Sequence, residues 1–114
     1  MDLDMLFAQT LDDLKEMERL TEAKIQAAVR RDAKTLVNLL QEQIDPMYRL
    51  NRNTLELGML SIAQQADLRT HITRWATREQ YLQNVLEKNL GYIAYLKQLL
   101  GISGQESPGL NVGL

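Results

Sequence analysis

An unbroken alternation of four- and three-residue steps runs through the last third of this chain. Leu68, Ile72, Trp75, Glu79, Leu82, Leu86, Asn89, Ile93, Leu96 and Leu100 keep that spacing throughout. It places one face of a 3.6-residue helix continuously against neighbours, which the two-residue period of a strand cannot do. Val85, Tyr92 and Leu99 widen the stripe. Glu79 and Asn89 are its only polar members, and such residues either specify register or sit at a partly solvated edge of the seam.

A helix of that kind needs partners, and the preceding residues supply two. The first is predicted from Leu3 to Arg31, with Asp2 and Asp4 where negative charge suits a helix N-terminus. Its seam reads Phe7, Leu11, Leu14, Glu18, Thr21, Ile25 and Ala28, widened by Met17 and Leu20. Arg30 and Arg31 fall near its end, where basic charge suits the helix dipole. Asp32 reads as the N-cap of a second helix with Leu36, Leu40, Ile44, Met47, Leu50, Thr54 and Leu57 inward. The short join favours an antiparallel hairpin over one bent helix. Pro46 lacks an N–H and crowds the carbonyl of Glu42, which predicts a kink, with a complete break at Asp45-Pro46 as the alternative. Gly58 reads as a stop, and Ser61-Ile-Ala-Gln64 fits a capping box that opens the third helix.

The fold class expected is therefore all-α: an antiparallel three-helix bundle, or long helical hairpin, with an extended C-terminal helix. Residues 1–101 form one helical domain in this reading. Residues 102–114 change to turn residues without a sustained period and read as a flexible tail, although Ile102, Leu110, Val112 and Leu114 offer apolar points for docking. A chain of 114 residues has room for one core, and six Gly, two Pro and sparse aromatics agree with helix. The absence of cysteine excludes disulfides and thiolate chemistry and agrees with a reducing, cytoplasmic setting. The acidic start and the lack of a long apolar run predict neither a signal peptide nor membrane insertion. Thirteen basic against fifteen acidic residues, a net charge of −2, give no reason to propose nucleic acid as a partner.

Helix lengths single out one segment. At about 1.5 Å per residue the three helices span roughly 43, 38 and 58 Å. Packed antiparallel in order, the third reaches the Arg31-Asp32 turn near Glu87 or Lys88, and Asn89 to Leu100 projects roughly 20 Å beyond. Tyr92, Ile93, Tyr95, Leu96, Leu99 and Leu100 are then the candidate partner-binding residues, because burying each is worth roughly 1.5–3 kcal/mol. Three covers fit: a second copy, the chain folding back at Gly91, or a helix of another protein. A fold-back would give a self-inhibited state that a partner displaces.

The layout resembles the FlgN-type flagellar export chaperones. The likeness rests on the acidic, Leu-rich first helix and on Ala27-Ala-Val-Arg-Arg-Asp-Ala-Lys-Thr-Leu-Val-Asn-Leu-Leu-Gln-Glu42, similar to that family's junction between helices. Its third part is Asn89-Leu-Gly-Tyr-Ile-Ala-Tyr-Leu-Lys-Gln-Leu-Leu-Gly101, which looks like the family's closing aromatic and Leu-rich helix. The resemblance implies a cytoplasmic protein whose closing helix holds the amphipathic C-terminal helical part of hook-associated, hook-filament junction proteins, unpolymerised, for type III secretion. Tyr92, Ile93, Tyr95, Leu96, Leu99 and Leu100 become the client contacts, with Lys97 and Gln98 at the rim. Related chaperones often carry an aromatic residue near the C-terminus for docking to export-gate components, and none follows Tyr95 here.

Two other functions compete. A histidine phosphotransfer domain is a helical domain of this size, and His71-Ile-Thr-Arg74 offers one His with a basic residue three positions on. Trp75 stands where such domains usually carry Gly, and His71 lies beside Leu68 and Ile72, so a structural or solvated His is the favoured reading. A self-associating coiled-coil adaptor would instead pair the overhang with its own copy, a homo-oligomer. Enzymatic chemistry has little footing. Asp12, Asp13, Glu16 and Glu18 read as a solvated helix face, and no Glu-x-x-His motif occurs, so no catalytic residue, metal or cofactor is expected. Met5, Met17, Met47 and Met59 read first as core filling, although an adaptable sulfur-rich lining would suit a chaperone.

Overall fold

The Asp2 carboxylate accepts from the Met5 N–H at 2.8 Å and so opens the first helix, α1 (Leu3–Val29), at the expected place. This computed structural model describes residues 2–88, among which there are helices and no strand. The other end of α1 closes without glycine. The Arg31 N–H donates to the Ala28 carbonyl at 3.1 Å and the Asp32 N–H to the Ala27 carbonyl at 2.8 Å. That pair of bonds is a Schellman closure, and it holds Arg31 in the left-handed region at φ 58°. Asp32 then caps α2 (Ala33–Glu42), accepting from the Thr35 N–H at 3.1 Å and the Thr35 hydroxyl at 2.7 Å. One residue thus ends a helix and starts the next, which makes the join a tight hairpin.

Pro46 produces the kink expected of it. α3 (Ile44–Arg52) is separated from α2 by Gln43 alone, which keeps helical dihedrals of φ −76° and ψ −11°. Pro46 has no N–H for the Glu42 carbonyl, and the ladder resumes when the Met47 N–H donates to the Gln43 carbonyl at 3.1 Å. Beyond the kink the expected apolar positions hold, with Met47, Leu50 and Leu57 packed on the core, and the departure is confined to the residues just before it. Leu36 and Leu39 are buried while Ile44 is 60% exposed, so the inward positions differ from the Leu40 and Ile44 of the uninterrupted period. A one-turn α4 (Thr54–Leu57) ends at Gly58. The capping box then forms in full: the Gln64 N–H donates to the Ser61 hydroxyl at 3.1 Å, and the Ser61 N–H to the Gln64 side-chain oxygen at 3.2 Å. It opens α5 (Ile62–Glu87).

The central element is α1, with α5 on one flank and α2 and α3 on the other. Lys24 meets Gln43 and Asp13 meets Arg49, so α2 and α3 run antiparallel to α1. Glu18 meets His71 and Glu22 meets Arg78, so α5 runs parallel to it. The result is an up-down-up bundle measuring 48 × 25 × 20 Å. Met17, Leu20, Ala27, Ala33, Leu36 and Leu39 form the core towards the α1–α2 turn, and Leu6, Leu14, Leu60 and Leu68 form it towards the start of α1. Trp75 packs against both clusters and joins them.

The seam of α5 is narrower than its sequence spacing. Leu68 and Leu82 are buried and Trp75 is half-buried, but Ile72 is 44% exposed while His71 turns towards α1. Because α5 leans chiefly on α1, only the flank facing that helix is covered.

Candidate functional site

At the α1–α2 end, Leu82 packs with Ile25 and Ala28, and Leu86 packs on the cluster that holds Ala27, Ala33 and Leu36. α5 therefore draws level with the Arg31-Asp32 turn as it ends at Glu87, in agreement with the reach computed from helix lengths. The six candidate contacts, Tyr92, Ile93, Tyr95, Leu96, Leu99 and Leu100, follow directly in the chain and lie outside the described residues, as do Gly91 and the tail.

Buried polar side chains fix how the three long elements meet. Lys24, 3% exposed, donates to the Gln43 side-chain oxygen at 2.7 Å and pairs with Glu79 at 2.9 Å. The Thr21 hydroxyl donates to the same Glu79 carboxylate at 2.6 Å. One ammonium thus links α1, the α2–α3 junction and α5. Asp13, 5% exposed, accepts the Arg49 guanidinium at 2.8 and 3.1 Å, tying α1 to α3. Glu18 accepts from Arg74 at 3.4 Å and shares a hydrogen bond of 2.6 Å with His71 Nδ1, and Arg78 grips both oxygens of Glu22. The acidic run on α1 is accordingly not one solvated face. Asp12 is exposed, and Glu16 is half-buried in a pair with Arg19 that holds its carboxyl below the usual range, but Asp13 and Glu18 turn inward. They do so because α3 and α5 bring cations to them, which pattern along α1 alone does not reveal.

This geometry bears on the chemical alternatives. His71 is an interface residue, with its side chain 19% exposed and its Nδ1 engaged by Glu18. Among the described residues no group of three or more His, Cys, Asp or Glu side chains is placed to hold a metal ion. No described helix is long and apolar enough to cross a membrane.

The opposite end of the bundle carries a groove that sequence reasoning missed. Asp2, Leu3, Leu6, Asn53, Glu56 and Met59 line it. Leu3 is 41% exposed and Met59 69%, and Met5, Leu55 and Ile62, from the same turns, are 61%, 89% and 88% exposed. The available signal was the group of large apolar residues around Gly58 that fit neither helix period. Met17 fills the core and Met47 packs against it, whereas Met5 and Met59 face outward at this end.

No protein-family model, curated protein or solved structure matches this chain.

Proposed function

We propose that the protein is a cytoplasmic export chaperone of the FlgN type. In this reading Tyr92, Ile93, Tyr95, Leu96, Leu99 and Leu100 hold the amphipathic C-terminal helical region of a hook-filament junction protein. The observation that carries the proposal is the end of α5: its last described turn already packs beside the α1–α2 turn. The apolar stretch from Asn89 therefore starts where the neighbouring helices of its own bundle stop. Six large apolar side chains there need a cover, and each contributes roughly 1.5–3 kcal/mol when buried. The role is one of binding, with no bond made or broken.

The test is capture of a synthetic peptide from the C-terminal helical region of a hook-filament junction protein. The double variant Leu96→Asp, Leu99→Asp is expected to lose capture while its far-UV circular dichroism stays that of the parent. Undiminished capture by that variant removes the segment from the site. A parent protein that binds no such peptide overturns the chaperone reading.

A further inference from the structure

The groove between the start of α1 and the α4 region is lined by the apolar Leu3, Leu6 and Met59, by Asn53, and by the acidic Asp2 and Glu56. Among the described residues no basic side chain lines it, and Asp4 adds a third carboxylate one position on. It therefore suits an apolar segment flanked by cations. The stretch from Lys88 to Leu100 has that composition: Lys88 and Lys97 are its charges, it contains no carboxylate, and Leu90, Tyr92, Ile93, Tyr95, Leu96, Leu99 and Leu100 are apolar. Residues 101–114 do not match, since they hold Glu106 and no basic residue.

Reach decides whose segment can occupy the groove. Lys88 stands at the α1–α2 end and the groove at the other, one length of α5 away, about 39 Å at 1.5 Å per residue. The twelve residues Asn89–Leu100 measure about 18 Å as helix and about 40 Å fully extended. Only Leu100 of a fully stretched segment could touch its own groove. In an antiparallel second copy the ends are exchanged, and each groove lies beside the other chain's Lys88.

We propose that the groove lined by Leu3, Leu6 and Met59 receives the Lys88–Leu100 segment of a second copy, giving a closed antiparallel pair. The contact is made twice under one two-fold operation, so it stops at two chains and builds no filament. The second copy and the client take the same segment and so exclude each other on one chain, while the pairing itself requires no client.

Because the full chain has no cysteine, two single-cysteine variants test the pairing directly. Met59→Cys and Leu96→Cys, carrying tags of different mass, are mixed and oxidised with copper–phenanthroline. The mixed disulfide is expected to dominate over either like pair, and sedimentation of the untreated full chain is expected to show dimer. Glu56→Lys is expected to weaken the dimer several-fold, and adding Lys97→Glu to restore it, since each changes one side of a screened contact. A monomer in sedimentation overturns the proposal. So does a Met59→Cys, Leu96→Cys double variant that closes only within one chain, which assigns the groove to the chain's own segment. Like-with-like disulfides alone would overturn it too, by pairing overhang with overhang.

Discussion

Lys24 shows what a single buried charge does here. Its ammonium is almost fully withdrawn from water and is compensated by Glu79 and Gln43 from two other elements, while Glu79 keeps 36% of its side chain exposed. The two partners are therefore not equivalent. Truncating Glu79 leaves a buried cation with one neutral acceptor, whereas truncating Lys24 leaves a carboxylate that water can reach. Glu79→Ala is expected to cost about 2 kcal/mol, and Lys24→Met, which keeps the stem packing, clearly less; urea midpoints at constant m-value would measure both. Equal losses would mean that Lys24 is not desolvated. Glu79 was legible in the sequence as a polar member of an apolar seam. That it both meets Lys24 and stays partly wet joins the two roles open to such a residue.

At the scale of the element, each helix end was legible where local chemistry decides it. The caps at Asp2, Asp32 and Ser61, the stop at Gly58 and the kink before Pro46 all depend on residues within one turn. The exception is Arg31, a non-glycine residue in the left-handed region that closes α1. Its residue type does not announce that conformation, which the bonds to Ala27 and Ala28 hold and which lets Asp32 turn back and cap α2. A β-branched side chain there clashes with its own backbone, so Arg31→Val is expected to lower stability by about 1 kcal/mol. Arg31→Gly, which relaxes the same strain, is expected to raise it by about 0.5 kcal/mol, both read from chemical denaturation. The phase of the buried faces was less legible. Leu39 is buried more deeply than Leu40, and His71 comes inward where Ile72 was expected, the latter because α5 leans chiefly on α1.

Across the whole molecule, carboxylates of α1 meet cations of α3 and α5, while two local contacts, at Glu16 and Asp32, predict how stability follows pH. Hydrogen bonds from Arg19 hold the Glu16 carboxyl below its ordinary value, and those from Thr35 do the same for Asp32. A group with a depressed folded-state pKa stabilises the fold above its unfolded value and loses that contribution as the pH falls towards the folded one. Both contributions are complete above the ordinary values of 4.5 and 3.8 and fade below them. Thermal unfolding is expected to be nearly independent of these two groups at neutral pH and to weaken on acidification below about 4.5. Because water reaches and screens both groups, the effect is small, and Glu16→Gln with Asp32→Asn should flatten the acid limb only slightly.

Helical content, the positions of the turns and the reach of α5 to the α1–α2 turn were determined by the sequence alone. They follow from periodicity, capping chemistry and a constant rise per residue, all local along the chain. The groove of Leu3, Leu6 and Met59, the inward turn of Asp13 and Glu18, and the burial of Lys24 were decided only by tertiary structure. Each depends on residues from separate elements meeting in space. Whether a charge faces water or a partner is set by the neighbouring helix, to which the spacing within its own helix is blind.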